Sequence, residues 1–469
     1  MIKDLHDYIR HLSEKGMLLR VDAEVDPELE ITAFTERASR TGSDESKTLL
    51  FNKVKGYDMP VVTNLFASYS MLSTLFGETQ IGEIISSAFS KASGISLIKS
   101  AKALMDLKPK TVPFKKGRYE ELDGLSRLPV PKVWPNDAGR FLTLPVVSTQ
   151  SPVDGSANAG IYRMQVFDSF TTGMHWQAQK GGSIHASEAA AAKKRLNVSV
   201  AIGADPYSII SAVAPLPQGI SEFAFSGIAR GSRSILLSKD GYPPVPESSE
   251  IILYGYVDPS ESRIEGPFGD HTGYYSIPEP ANVFNIEEVY ARKDPVYASS
   301  VVGHPWNEDA AISRFLLEYM KPAILAVNDS ITDIYLPPEG VFTNLCFISV
   351  KKRFPGEAKR AMFSVLGLGQ LSFTKMIAAF DPDIDIRDLR SVAWALSTRV
   401  DPERDMQIIG GVPTDTLDHT SNLSAYGSKV MIDATKKTRG EGYSREWPDT
   451  ISLPASILEA VERKWKKME

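Results

Sequence analysis

Past Leu336 the rhythm of the chain changes, and that change limits its fold more than any other feature. Strand-like runs at residues 346–350, 376–380 and 406–409 alternate with helical patterns at about 357–366 and 386–397. This β-α-β-α-β order predicts a parallel sheet, because parallel neighbours need a long crossover and a helix usually supplies it. Upstream, from about 118 to 307, short apolar runs broken by Gly and Pro predict a β-rich domain with crossover helices. Its helices include about 184–195 and a short one opened by the Asp205-Pro206 cap; residues 198–202 read as a buried strand.

The first 117 residues mix both patterns. A helix carrying Ile2, Leu5, Ile9 and Leu12 stops at Gly16, strands follow at 17–21 and 60–64, and 81–89 reads as helix. The fold class is therefore α/β, or more strictly α+β multidomain, with an N-terminal α/β domain (1–117) and a β-rich domain (118–307). A linker helix (308–331) and a C-terminal α/β domain (332–469) follow. The last helix, at about 455–466, is amphipathic and predicts docking on its own domain or on a neighbouring subunit.

A length of 469 residues, with 42% apolar and 23% charged, suits two or three globular domains. A net charge of −6 supplies no basic field for nucleic acid or an anionic membrane. The one cysteine, Cys346, lies in an apolar run, which excludes a disulfide framework and argues against a thiolate metal site. No apolar run approaches the roughly 20 residues of a membrane span, and the N-terminus carries no signal-like apolar region, so a cytoplasmic protein is predicted.

Two distant segments carry the chemistry: Asn158-Ala-Gly-Ile-Tyr-Arg163-Met-Gln and Glu265-Gly-Pro-Phe-Gly-Asp270-His-Thr-Gly-Tyr-Tyr. Arginine holds a carboxylate through two parallel hydrogen bonds and stays charged, while a desolvated carboxylic acid can keep a proton near neutral pH and deliver it later. Arg163, Glu265 and Asp270 thus form a candidate set for proton-coupled chemistry on an acid substrate. Asn158 and Arg163 are five apart, which puts them on opposite faces of a regular strand unless Gly160 makes a turn or bulge. His175 and His185, ten residues apart with no cysteines, make a weak zinc pair and are not assigned to metal.

With Ser199-Val-Ala-Ile-Gly-Ala-Asp-Pro206 and Leu336-Pro-Pro-Glu-Gly340, these segments resemble the UbiD family of decarboxylases, which use prenylated flavin mononucleotide. The resemblance runs from Met1 to about Trp447. It implies a split β-barrel flavin-binding domain and a C-terminal oligomerisation domain. It also implies non-oxidative, reversible decarboxylation of an aromatic, heteroaromatic or α,β-unsaturated acid through a covalent adduct with the flavin. Arg163 then positions the substrate carboxylate, Glu265 fixes the guanidinium, and Asp270 donates the proton.

By the same resemblance, Ile161, Tyr162, Arg163, His175, Trp176, Gln177, Gln179, Lys180, Gly181 and Lys375 surround the cofactor. Asn158 and Glu222, the latter in Pro217-Gln-Gly-Ile-Ser-Glu222, hold a divalent cation, manganese or magnesium, with potassium as a further ion. A separate flavin prenyltransferase supplies the cofactor, and a homo-oligomer, dimer or hexamer, is implied. One departure is Gln179-Lys-Gly-Gly182, where many members place a histidine as third metal ligand. That glutamine favours the alternative of a flavin-binding accessory or inactive subunit of a multi-subunit carboxylase; a metal-dependent hydrolase is the third reading. His304, His419 and the segments 301–308 and 418–426 are candidate pocket walls.

Overall fold

The computed structural model describes residues 2–39, 45–76, 108–177, 180–216, 220–466 and 468. Gln179, the residues 217–219 and the helix expected at 81–89 lie outside them.

At the centre is an antiparallel sheet whose strands run in space Thr171–Met174, Glu279–Arg292, Ile251–Glu265, Leu196–Ile202, Val146–Gln150 and Ala157–Ile161. Tyr119–Glu121 adds a seventh strand against Glu279–Arg292. The two long strands read as β because Ile251, Ile252, Leu253, Val283, Phe284 and Val289 are apolar and fully or almost fully buried. The N-terminal helix Leu5–Glu14 buries Leu5, Tyr8, Ile9 and Leu12 in the same apolar cluster as Ile252 and Tyr290 of that sheet. Its cap, Asp4, accepts from the Asp7 backbone N–H.

Local signals set several elements as expected. Asp205 caps the helix Pro206–Val213 by accepting from Ser208 N, with Pro206 in its first turn. The helical pattern from 308 is the helix Glu308–Val327, with Asn307 as its cap. The other expected helix of the central domain is Gly181–Ala191, shifted toward the N-terminus of the predicted span. Among the described residues no helix is long and apolar enough to cross a membrane.

The C-terminal sheet departs from the expectation in one strand. Its order is Ile331–Tyr335, Leu345–Val350, Met376–Phe380, Tyr426–Asp433, Met406–Pro413. The parallel partner of Met376–Phe380 is Tyr426–Asp433, while Met406–Pro413 runs antiparallel on the edge. The edge strand is largely exposed, so its apolar residues carry no sign of the layer they face. The final helix, Ala455–Trp465, buries none of its residues, so it does not dock on its own domain.

Candidate active site

Arg163 sits just beyond the strand Ala157–Ile161, which pairs with Val146–Gln150 in unbroken register. Gly160 therefore makes neither the turn nor the bulge that the sequence left open, and the strand ends before Arg163. Glu265 closes the strand Ile251–Glu265, because Gly266-Pro267 follows and Pro267 has no N–H for the ladder. Gly266 takes φ 90°, a conformation open to glycine at little strain, and its N–H donates to Gln165 Oε1 at 2.8 Å. The loop is buttressed by Asp137, whose two oxygens accept from Gly269 N and Trp134 N at 2.8 Å each.

The three residues singled out from the sequence meet. Arg163 Nε and Nη2 donate to Glu265 Oε1 and Oε2 at 2.9 Å each, a fork across 102 residues of chain. Its Nη1 donates to Asp270 Oδ2, and the guanidinium lies 5.0 Å from the Phe268 ring centroid. Arg163 Nη2 also reaches His175 Nδ1 and Ser276 Oγ at 3.3 Å.

Charge follows the geometry. Burial opposes the Arg163 charge, but Glu265 and Asp270 outweigh it and raise the pKa. Burial likewise pushes both acids up; His175 and Arg163 reverse this at Glu265, and His271 with Arg163 holds Asp270 well below the usual carboxylate range.

One cavity borders Arg163 and Asp270, and a second shares part of its lining. The smaller, about 140 Å³, is lined by Arg163, His175, Phe268, Asp270, His271 and Asp309 among others. The larger, about 570 Å³, runs between the central and C-terminal domains along the linker helix and shares Ile161, Gln177, His271 and Asp309 with the first. Lys180 lines it beside a mainly apolar wall that includes Leu216, Leu316, Met320 and Phe342. Burial lowers the Lys180 pKa, against the pull of Asp415, and among the described residues no carboxylate lies within ion-pair distance of its ammonium.

At the far side, Ala159 N donates to Glu222 Oε2 at 3.2 Å, which sets that carboxyl beside Asn158. Burial pushes Glu222 up to about 7. Asn158 Nδ2 is 3.5 Å from Tyr162 OH, which accepts from Gly182 N at 3.0 Å, and the Tyr162 and Trp176 rings meet edge-on at 5.1 Å. Among the described residues, buried Trp176 Nε1 has no hydrogen-bond partner.

Lys375 pairs with Asp418 at 2.9 Å and also donates to Thr420. His185 bonds Thr149 at 2.9 Å while His175 faces Glu265 at 3.4 Å, so the two histidines serve different networks. Among the described residues no group of three or more His, Cys, Asp and Glu is arranged for a metal ion. His304 borders a separate cavity beside Trp134, and His419 packs edge-on against Tyr274.

Three polar residues of this site escaped the sequence reading: His271, Asp309 and Asp415. Asp309 and Asp415 lie just outside the segments expected to form the pocket walls. His271 follows Asp270 directly, but the acids around it come from distant parts of the chain, so spacing gave no signal.

Three family profiles cover the chain in order. They describe the N-terminal domain (residues 9–88), the Rift-related domain (106–305) and the C-terminal domain (311–434) of 3-octaprenyl-4-hydroxybenzoate carboxy-lyase, UbiD. The chain belongs to the UbiD family. An uncharacterised protein of Archaeoglobus fulgidus is 42% identical over 99% of this chain and 98% of its own length. The closed form of vanillic acid decarboxylase from Sedimentibacter hydroxybenzoicus matches at TM-score 0.86 and 26% identity, covering 100% of this chain and 99% of that one. The UbiD-class enzyme HmfF of Pelotomaculum thermopropionicum, solved with FMN, matches at TM-score 0.79 and 26% identity over 98% and 99%. UbiD membership makes this chain a carboxy-lyase with the mixed α/β multidomain fold of its class.

Proposed function

We propose that this UbiD-family enzyme decarboxylates an aromatic, heteroaromatic or α,β-unsaturated acid with prenylated FMN held in the interdomain cleft. The observation that carries the reading is the Arg163 fork on Glu265 with Asp270 on the same guanidinium, opening on one cavity. Flavin in HmfF supports the cofactor. So do the residues here: an apolar cleft of about 570 Å³ and, among the described residues, a buried lysine with no carboxylate in ion-pair distance and an indole N–H with no partner.

Asn158 and Glu222 would hold a divalent cation beside the flavin phosphate, manganese or magnesium. Their donors are oxygens, and a carboxyl raised to about 7 by burial is one that a cation would return to its charged form. Lys375 is already neutralised by Asp418, which leaves Lys180 as the stronger candidate for the phosphate.

Loss of CO₂ from an unsaturated carbon leaves an electron pair that side chains cannot delocalise, and the modified flavin supplies the sink when bound. The chain's own residues do the rest. Arg163 holds the substrate carboxylate, Glu265 fixes the plane of the guanidinium through both oxygens, and Asp270 carries a proton to the carbon. The Phe268 ring packs against the guanidinium, and its N–H is held by Ser276 Oγ at 3.1 Å.

A separate flavin prenyltransferase is the expected source of the cofactor. A homo-oligomer is supported by the final helix, whose Ile457, Leu458, Val461 and Trp465 are all exposed. The test is co-expression with a flavin prenyltransferase, then CO₂ release and H/D exchange from phenolic, furan, pyrrole, cinnamic and phosphorylated enoic acids. Glu265→Gln and Asp270→Asn are expected to lose turnover on any acid the wild type accepts. Full turnover in both would overturn the assigned roles, and bound flavin with no exchange from any acid would favour an accessory subunit.

A further inference from the structure

Asp270 is poorly placed to hold a proton by itself. Its Oδ1 accepts from the backbone N–H and from Nδ1 of His271, both at 2.8 Å, and its other oxygen faces Arg163. Two cationic neighbours on one carboxylate stabilise the ionised form, so the proton it delivers has to arrive from beside it. Only one of those neighbours can give up a proton in the working range of an enzyme, since guanidinium does not.

His271 is a ring surrounded by acids from three parts of the fold. Its side chain is 13% exposed. Asp270 flanks it from its own loop. Asp309 faces it from the first turn of Glu308–Val327, and Asp415 approaches from the C-terminal domain with Oδ2 3.8 Å from Nε2. The Phe342 ring, also from that domain, lies 5.5 Å away, and Arg163 is the opposing cation, reached through Asp270.

We propose that His271 stores the proton this site delivers, passing it from Nδ1 to Asp270 Oδ1 and from there to the substrate carbon, with Asp415 positioning the ring from across the cleft. The proposal rests on the decarboxylase reading. In the first transfer an N–H bond breaks as an O–H bond forms. In the second, that O–H bond breaks as a C–H bond forms on the electron pair left by CO₂. The imidazole ends neutral and regains its proton from water in the cleft.

The electrostatics agree with the geometry. Burial alone would lower the pKa of the ring, but Asp270 first, then Asp415 and Asp309, raise it to about 9, so the ring is charged at neutral pH. Burial lifts Asp309 to about 6, so it adds little negative charge below that pH and more above it. Because Asp415 and Phe342 come from beyond the linker helix, the reservoir is complete only while they stand against His271 as they do here.

The first arm of the test uses the full-length protein without cofactor, isotopically labelled at histidine. The His271 resonance, assigned by its loss in His271→Gln, is expected to titrate well above 6.5, and Asp415→Asn to lower the midpoint by about half a unit or more. The second arm uses cofactor-loaded enzyme on an acid that the wild type accepts. There Asp415→Asn is expected to lower kcat about tenfold with KM within about twofold, and to enlarge the solvent deuterium isotope effect; Asp415→Glu should recover part of both. A wild-type midpoint near 6.5, or a midpoint and isotope effect both unmoved by Asp415→Asn, overturns the proposal. Failure of the wild type to release CO₂ from any acid sinks the decarboxylase reading instead, and the titration still decides whether His271 holds the proton.

Discussion

Gly181→Ala tests the proposed cofactor cradle at its tightest point. A Cβ at Gly181 would lie 2.6 Å from Asn158 Cγ and closer still to its Oδ1, where ordinary contacts begin at 3.4 Å. The residue has helical backbone, so alanine itself is unstrained and the whole effect falls on Asn158. Asn158 has to rotate away from Gly181 and so leave its present position beside Glu222, or the first turn of Gly181–Ala191 has to shift. Overpacking of this kind costs about 1–3 kcal/mol. Taken out of binding at about 1.4 kcal/mol per decade, that is a loss of roughly ten- to hundredfold in affinity. The assay is titration of FMN, in the presence of Mn²⁺, into wild type and variant by quenching of flavin fluorescence, with far-UV circular dichroism to check the fold. If wild type binds and Gly181→Ala binds equally, with the same Mn²⁺ dependence, Asn158 does not belong to the cofactor site.

Arg163→Lys keeps the charge but loses the fork on Glu265, so H/D exchange on an accepted acid should fall by about a hundredfold or more, with circular dichroism unchanged. Glu308 is fully buried, accepts from Phe66 N at 2.8 Å and is lifted by burial to about 7. Its folded-state pKa stands above its unfolded value, so the native state binds the extra proton and stability falls as pH rises from about 4.5 toward 7. Glu308→Gln should therefore be more stable than wild type at pH 8, by on the order of 1–3 kcal/mol, with little difference at pH 4.5; urea midpoints at both pH values decide. Deletion of residues 455–469 should lower the assembly state seen by light scattering with no loss of secondary structure beyond that helix, because Ala455–Trp465 buries none of its residues.

Elements specified by neighbouring residues could be read from the sequence. Asp205-Pro206 announced its helix because cap and first turn are adjacent in the chain, and the helical pattern from 308 matches Glu308–Val327, whose cap Asn307 the structure adds. Glu265 and Asp270 were legible because the resemblance named them, while the 102 and 107 residues separating them from Arg163 hide the contact from any local pattern. The direction of Met406–Pro413 was misread for a related reason. An exposed edge strand has apolar residues but no second buried face, and its partner Tyr426–Asp433 comes later in the chain. Asp309 and Asp415 look like ordinary cap and loop acids until folding sets them around His271.

The division of labour across the cleft has a consequence for how such an enzyme can change. The arginine and both acids that touch it hang from a single antiparallel framework, whereas Phe342 and most of the oily lining opposite come from the linker helix and the C-terminal body. Mutations in that opposing half can reshape which molecules enter while the reactive machinery keeps its alignment. New specificities are thus accessible by drift on one side of a fixed centre.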